Sequence, residues 1–484
     1  METADARRLS ILTAGEIRLM RSVRTGWHNT IAQIWAVARN TIAQALRMKV
    51  AAVIIVLLFF LIPMLSTIIV GDGTLQGKLQ TFASYSLSLM TTLLCILTIA
   101  ISTWTLSNDV QRKYILLIVT KPISRYQIVL GKILGIIVID AILLVVFSCV
   151  IYGLTVLIPH ITDAPEVQVK QAQDEFFTAR AGLTQPEDER EIQRRTIEAY
   201  NKLRESGQLP QDMTGERAMA ELRSQQRMLG RSVPLNSKRI WRFHNVRVTD
   251  PKEQLFVRFK YEVAVTGPDD KVHGLWDVGD IRQFEMPPGS WKTPIEQVSR
   301  SDSARKMMEI EIPASVIAED GFVGVVFYNT LNQSTVIIQD VELLYRAGTF
   351  TGNYIRVVML IGLRLAFLAA LGVSTSTWLS FPVAFLLTMS IFLVGMISGF
   401  VIESIDSLGI VGNLVYTVSI KPLIWMFPRL DGDYNPTRFI VMGRILSWGF
   451  LAQVFGIMVC VKAGVLTLLG IWIFSNREIA KVVV

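Results

Sequence analysis

Two ionisable side chains lie deep inside long apolar segments, where an uncompensated charge is costly. Asp140 is about 12 residues into the apolar run Ile128–Ile158, and Arg364 is about 10 residues into Tyr354–Val373. If these segments are antiparallel neighbours, both side chains reach a similar depth. We therefore hypothesise an Asp140–Arg364 ion pair that fixes helix packing. The alternative is that Arg364 extends outward and Asp140 lines a polar seam, while Lys462 is expected to extend toward the cytoplasm.

A short basic turn between two apolar runs could bind a separate polypeptide. The stretch Thr120–Lys132 contains Lys121, Pro122 and Arg125 and leads directly into the next apolar run. This composition predicts a docking surface. The sequence contains no Gly-x-x-x-x-Gly-Lys-[Ser/Thr] motif, and Gly131-Lys132-Ile133 lacks the hydroxyl group that would hold magnesium. If ATP drives this protein, another polypeptide hydrolyses it.

Three tryptophans in the largest polar region are candidate ligand-binding residues, because tryptophan faces can stack on sugars. They are Trp241, Trp276 and Trp291. The alternative is that these side chains are core aromatics. His244 and His273 are too few and too isolated for a zinc site, and no acidic stretch has the spacing of a calcium loop. We therefore expect a binding or interaction module with no metal and no catalytic residues.

Six apolar stretches could position these residues inside a membrane. Hydrophobic residues make up 51% of the chain and charged residues 18%, and a bilayer core about 30 Å thick needs about 20 apolar residues per helix. The predicted spans are Val50–Val70, Phe82–Leu106, Ile128–Ile158, Tyr354–Val373, Leu379–Ile402 and Phe439–Phe474. The first span is too long for the apolar core of a signal peptide. The spans divide into two groups, within residues 49–158 and 351–475.

Two further membrane-associated segments are predicted outside these spans. Within residues 1–48, apolar residues from Trp27 to Leu46 recur at steps of three and four, which is typical of an amphipathic helix at the lipid interface. The alternative is a helix that packs on soluble protein. Residues 404–438 contain another apolar stretch, which Lys421 and Pro422 interrupt. We predict a re-entrant or interfacial hairpin on the outer side there.

Basic residues predict the orientation of the chain. Lysine and arginine are frequent before the first span and between the second and third spans, whereas the loop after the first span has only Lys78. The positive-inside rule therefore places both termini, including the tail 476–484, in the cytoplasm and residues 159–350 outside the inner membrane. Residues 161–350 contain 25 basic and 29 acidic residues. The basic excess thus lies at the membrane and predicts contact with lipid and not with nucleic acid.

The large outer region has two parts that differ in composition. Residues 159–236 are rich in Glu, Gln, Arg and Ala, which predicts two or three polar helices. Residues 237–350 alternate apolar and polar residues between turns, which is the pattern of a β-sandwich. The predicted fold class is an α-helical polytopic membrane protein with a large extracytoplasmic α+β insertion. It comprises six transmembrane helices, an amphipathic elbow helix, an outer re-entrant hairpin and the β-sandwich.

The run from Leu106 to Lys132 resembles the loop between the second and third spans of ABC-2-type transporter permeases. The resemblance extends over the membrane part and is closest to the subgroup named as multi-copper-enzyme-maturation-related permeases. In such families the loop, here residues 107–127, forms a coupling helix seated in a groove of the ATPase dimer. By this resemblance the docking residues are Asp109, Arg112, Lys121, Pro122, Ser124 and Arg125. The large insertion between the third and fourth spans departs from typical members.

The resemblance implies a permease subunit, expected to be an exporter, that forms a homodimer above cytoplasmic ABC ATPase subunits. ATP and magnesium would bind to those subunits, and no cofactor would bind to this chain. The outer domain would bind substrate or recruit a periplasmic partner. Two alternatives remain from the residues themselves. One is a membrane-anchored binding or scaffold protein that transports nothing, and the other is an integral membrane enzyme with a site among the outer Trp, His and Asp residues.

Overall fold

The structure is a computed structural model, and it describes residues 30–71, 73–111, 123–162, 164–208, 215–246, 248, 253–263, 271–287, 291–407, 422 and 427–477. Within these residues, six helices are long and apolar enough to cross a membrane. They are α2 (Lys49–Ile68), α3 (Leu75–Gln111), α4 (Arg125–Ile161), α8 (Phe350–Ser376), α9 (Phe381–Ser407) and α11 (Trp448–Asn476). The chain is therefore a multi-pass membrane protein.

The shorter helices flank this bundle or lie between its spans. Helix α1 covers residues 30–46 and precedes α2. The others are α5 (Glu166–Glu175), α6 (Glu189–Glu205), α7 (Gly215–Arg231) and α10 (Pro436–Val441). The prediction that the last span begins at Phe439 is wrong, because residues 439–441 belong to α10 and the spanning helix begins at Trp448. A cap explains that start, since the Ser447 hydroxyl accepts a hydrogen bond from the Phe450 N–H.

Helices α3 and α8 form the centre of the bundle and are mostly buried, whereas α2, α9 and α11 expose most of their apolar surface. Small residues bring the two central helices together: the Ser376 hydroxyl donates to the Thr103 carbonyl, and a Cβ added to Gly372 would lie 1.9 Å from Ser102 Oγ. Such close approach is typical of small residues between membrane helices. The two ends of the bundle are named for what they carry. The loop end holds Gln111, Arg125, Ser376 and Asn476, and the sheet end holds Leu75, Ile161, Phe350 and Trp448.

Two antiparallel sheets lie between α4 and α8 in sequence. The first has the strand order β1-β9-β4-β7, with β2 also paired to β9, and the second has the order β3-β8-β5-β6. The strands of the first are β1 (Thr178–Thr184), β2 (Ser232–Val233), β4 (Gln254–Val263), β7 (Met307–Pro313) and β9 (Val336–Thr349). Those of the second are β3 (Lys238–Phe243), β5 (Lys271–Gly279), β6 (Glu296–Ser303) and β8 (Val323–Tyr328). Residues of both sheets form one buried apolar cluster.

The predicted boundary between a helical part (159–236) and a strand part (237–350) needs correction. Three helices, α5, α6 and α7, do lie in the first part. However, β1 also lies there and pairs along β9 from Thr178–Thr349 to Thr184–Glu342. The short strand β2 adds two further pairs with β9. Sequence patterns do not reveal either strand, because β2 has only two residues and the interior of β1, Ala179–Leu183, contains Gly182 and two alanines and no β-branched residue.

Candidate functional site

The loop end contains a buried ion pair that joins three helices. Lys132 Nζ of α4 lies 2.6 Å from Asp109 Oδ2 of α3, and both side chains are about 2% exposed. Lys132 also donates to the Thr105 carbonyl at 3.1 Å. The Gln44 side chain of α1 donates to the other oxygen, Asp109 Oδ1, at 3.2 Å. We call Gln44, Asp109 and Lys132 the loop-end cluster.

Helix α1 packs on α4 at backbone distance beside this cluster. A Cβ added to Gly131 would lie 2.8 Å from the Ile34 carbonyl oxygen, and one added to Gly135 would lie 2.6 Å from the Ala38 carbonyl oxygen. Only glycine fits at these positions. The four-residue spacing places both glycines on one face of α4, so the two helices touch along more than one turn. The four-residue spacing of the two glycines is the feature of the sequence that indicates this helix contact.

The apolar stripe of α1 is divided between two environments. Ala38 and Ala45 are fully buried, whereas Ile31, Trp35 and Leu46 are more than half exposed. One face of the helix therefore packs on the bundle, and the other presents apolar side chains outward. The buried face packs on the protein, and the location of the exposed face at the lipid interface stays a prediction.

The predicted docking residues lie in different environments in the structure. Arg112, Lys121 and Pro122 lie outside the described residues. Asp109 is 1% exposed, so the prediction that its side chain contacts an ATPase is wrong; its charge is used by Lys132. The loop bounds 107–127 also need correction, because residues 107–111 continue α3 and residues 125–127 begin α4.

Arg125 binds the C-terminus of the last helix, α11, at the loop end. Its Nη1 donates to the carbonyls of Phe474 and Ser475 at 2.8 Å and of Arg477 at 3.0 Å. These carbonyls are at the C-terminus of α11, where a cation compensates the unpaired acceptors and the helix dipole. Ser124 precedes α4 and is exposed, and its N–H donates to Gln127 Oε1 at 2.7 Å. Ser124 is the one predicted docking residue that the structure describes as exposed.

The hypothesised Asp140–Arg364 ion pair is wrong. Arg364 Nη2 donates to the Leu430 carbonyl at 2.7 Å and also to the Tyr434 carbonyl. Asp140 Oδ2 instead lies 2.9 Å from the Thr98 hydroxyl oxygen, and Asp140 Oδ1 has no hydrogen-bonding partner among the residues that the structure describes. The segment after α9 supplies the carbonyl groups that bind Arg364, which sequence depth alone could not reveal.

Residues 427–434 enter the bundle and form hydrogen bonds with the middle of α9. The Leu430 N–H donates to the Gly395 carbonyl of α9 at 3.1 Å, and the Asp431 carboxylate accepts from the Gly399 N–H at 2.7 Å. Lys462 lies in a π-helical segment of α11, Phe455–Ala463, and donates to the Phe427 carbonyl at 2.8 Å. The expectation that Lys462 extends toward the cytoplasm is therefore wrong. Of the remainder of the predicted hairpin 404–438, the structure describes residues 404–407 in α9, residue 422, and residues 435–438 at the start of α10.

Two of the three candidate tryptophans are core residues. Trp276 is fully buried and donates to the Tyr261 hydroxyl at 2.9 Å, and Trp241 is 6% exposed with its ring 6.0 Å from that of Trp276. The prediction that they bind a ligand is therefore wrong. Trp291 is 46% exposed and packs edge-on against Phe284.

The sheet end instead offers a polar cavity of about 190 Å³. Its lining residues are Gln173, Thr178, Arg180, Glu253, Gln254, Phe256 and Arg346. The buried Arg180 guanidinium stacks on Phe256 at 3.8 Å and pairs with Glu309 at 2.9 Å, and the exposed Arg346 is opposite Arg180 across the β1–β9 ladder. Within the described residues, no group of three or more His, Cys, Asp or Glu could hold a metal ion.

Comparison with known proteins finds a family match for the first part of the chain. Residues 35–179 match the model of the family described as ABC-2 family transporter protein. The matched segment runs from α1 to the start of β1 and contains the whole loop-end cluster. No curated protein and no solved structure matches the chain. The family match supports an ABC-2-type permease that works with an ATPase subunit.

Proposed function

We propose that the chain is the membrane subunit of an ATP-binding-cassette exporter, in which a separate cytoplasmic ATPase supplies the energy. The observation that carries the proposal is the family match over residues 35–179, which covers α1, α2, α3, α4 and the loop between α3 and α4. In this proposal ATP and magnesium bind to the ATPase, and this chain is not itself an enzyme. Two copies of the chain form a homodimer in the inner membrane, with the loop end in the cytoplasm.

The loop-end cluster supports a route by which the ATPase would move the membrane helices. Residues of the docking loop lead directly into α3 and α4, and the buried Lys132–Asp109 pair holds these helices together. Gln44 adds α1 to the same unit. A displacement of the loop by the ATPase would therefore move all three helices together and not bend one of them. The outward apolar face of α1 fits an elbow helix that slides in the lipid interface.

The docking assignment is tested by reversing charge in the loop. The test is co-purification with a candidate ABC ATPase subunit that assembles with the wild-type chain, using Arg112→Glu combined with Lys121→Glu. We expect both the bound ATPase and its stimulation to fall about tenfold or more, the equivalent of roughly 1.4 kcal/mol. Arg125→Glu is unsuitable, because Arg125 fastens α11. The matched control is Lys202→Glu with Arg204→Glu, two exposed residues of α6. Undiminished assembly of the loop variant would contradict the assignment.

The cavity at the sheet end favours a binding role for the outer region, either for a substrate or for a periplasmic partner. It combines two cations, the buried Arg180 and the exposed Arg346, with the half-buried carboxylate of Glu253. The cavity therefore offers both signs of charge close to the membrane. A scaffold protein that transports nothing would use the same cavity. Transport by the wild-type protein would exclude the scaffold alternative, and loss of that transport in Arg346→Glu with normal ATPase assembly would indicate substrate handling by the cavity. Normal transport would remove the cavity from the transport route.

A further inference from the structure

We propose that Asp140 is a proton-binding site in the middle of the membrane, and that its carboxyl group is a neutral acid in this conformation. The proposal does not depend on the identity of the transported substrate. It rests on how Asp140 differs from two other carboxyl groups of the bundle. Asp109 receives the Lys132 ammonium group, and Asp431 receives backbone N–H groups of α9. Among the described residues, none gives Asp140 a cation or a backbone N–H.

The position of Asp140 makes an unpaired negative charge costly. Asp140 is 2% exposed and lies eight residues beyond Lys132 in the 37-residue helix α4. This separation places it about 12 Å further into the bundle than the loop-end cluster. A carboxylate at such a depth, without a cation, loses most of its hydration, so the neutral acid is the stable form.

The hydrogen bonds of Thr98 point to the same protonation state. The Thr98 hydroxyl oxygen lies 2.8 Å from the Leu94 carbonyl oxygen and 2.9 Å from Asp140 Oδ2. A threonine hydroxyl has one hydrogen, which cannot serve both acceptors well. If Thr98 donates to Leu94, Asp140 must donate its own proton to Thr98. A neutral acid satisfies both contacts, whereas a carboxylate leaves two acceptors competing for one hydrogen.

The described charged and titratable groups around Asp140 do not neutralise its carboxylate in place of a proton. Arg364 on α8 and Cys95 on α3 are near enough for Asp140 and Arg364 both to act electrostatically on the Cys95 thiol. Arg364, however, donates to the two carbonyls of residues 430 and 434. On the other elements packed against α4, the described charged or titratable residues are Arg39 on α1, Lys49 on α2, and Cys460 and Lys462 on α11, with Arg47 in the turn between α1 and α2.

This arrangement links the proton to the contact between α3 and α4. While the helices stay packed, Asp140 Oδ1 is buried without a partner and the acid stays neutral. Water that enters between the helices would hydrate the carboxylate and allow the proton to leave. Opening of the α3–α4 seam is therefore expected to release a proton, and closing to take one up.

Infrared difference spectroscopy on the full-length protein tests the proposal directly. The wild-type spectrum minus that of Asp140→Asn should show the C=O stretch of one carboxylic acid per chain at neutral pH. The amide has the same shape and can accept or donate to Thr98, so we expect the variant to fold. Asp431→Asn is the matched control and should remove a carboxylate stretch instead. A carboxylate band for Asp140, whether from a bound cation or from water in the seam, would overturn the proposal.

A second measurement needs no variant. Dicyclohexylcarbodiimide dissolves in the bilayer and reacts with protonated carboxyl groups: the acid O–H adds across one C=N bond, the oxygen binds the central carbon and the proton goes to nitrogen. The adduct then rearranges to a stable acylurea with no leaving group. Peptide mass mapping should find the adduct at Asp140 and not at Asp109 or Asp431. No adduct at Asp140, or equal labelling of all three, would contradict the proposal.

Discussion

At the scale of single residues, ionisable groups are placed by what they can pair with inside the fold. The sequence suggested one intramembrane pair, Asp140–Arg364, and the family resemblance placed Asp109 among six docking residues. In the structure Asp109 pairs with Lys132, while Arg364 binds backbone carbonyls. Sequence depth predicted which charges lie in the membrane, but not their partners, because a shift of one helical turn changes which side chains meet.

Removing one partner of the loop-end ion pair should destabilise the protein strongly. Lys132→Met leaves the Asp109 carboxylate buried with only Gln44 as a donor, and we expect a loss of about 3–5 kcal/mol in the free energy of unfolding. Thermal unfolding in detergent measures it. The double variant Lys132→Met with Asp109→Leu should recover most of the loss, because no unpaired charge remains. A double variant as unstable as the sum of the single variants would show that the charges do not act as a pair.

Glu309 in the first sheet should make stability depend on pH. Burial opposes its ionised form, but Arg258 at 2.5 Å and Arg180 at 2.9 Å outweigh burial and hold the pKa of Glu309 below its ordinary value of 4.5. The stabilisation is thus complete above the ordinary pKa and is lost as the pH falls through the lowered pKa. We expect Glu309→Gln to be less stable than wild type at neutral pH, with the difference shrinking in acid. An unchanged difference at all pH values would exclude this linkage.

At the scale of elements, close helix contacts are set by small residues whose role is invisible without a partner. Gly131 and Gly135 face α1, while Gly153 on the same helix has no atom within 4 Å of an added Cβ. Two glycines of α4 are thus required by a neighbouring helix, whereas the third is not. The sequence predicted α1 and α4 as separate helices, and the fold shows that they are packed together at backbone distance.

Adding a methyl group at the α1–α4 contact should separate the two helices. For Gly135→Ala we expect a loss of about 1–3 kcal/mol in stability, because the new Cβ would lie 2.6 Å from the Ala38 carbonyl oxygen. Gly131→Ala should behave similarly. Gly153→Ala is the matched control and should be neutral or stabilising by up to about 1 kcal/mol. Unfolding midpoints of the three variants provide the measurement. Equal effects at positions 135 and 153 would show that the tight contact is not needed.

At the scale of the whole molecule, the sheets and the bundle are joined by more than chain connectivity. Strand β9 leads directly into α8, and residues 443–446, before α11, bind both parts. The Arg180 N–H of β1 donates to the Gly443 carbonyl at 2.7 Å, and the Asn353 side chain of α8 binds Arg444 and Leu446 at 2.8 Å. Movement of α8 relative to α11 would therefore reach the two sheets.

Asn353→Leu tests this connection. The change removes hydrogen bonds to the Arg444 carbonyl and from the Leu446 N–H, leaving both buried groups unpaired, with an expected cost of about 3 kcal/mol. Hydrogen exchange at residues 443–446 should become faster, while the sheet cluster keeps its own protection because its contacts are unchanged. Met359→Leu, on the exposed side of α8, serves as the control. Unchanged exchange at residues 443–446 would contradict the connecting role of Asn353.

The sequence by itself determined the local and one-dimensional properties of this protein. Length and hydrophobicity of each run indicated six spans, and alternation of apolar and polar residues indicated strands, because these depend on neighbours along the chain. The tertiary structure decided the rest. It assigned Lys132 to Asp109, placed Trp241 and Trp276 in the core, and added β1 to the sheet formed by β9. These contacts join residues far apart in sequence, and burial, pairing and close approach are fixed only when the elements pack in three dimensions.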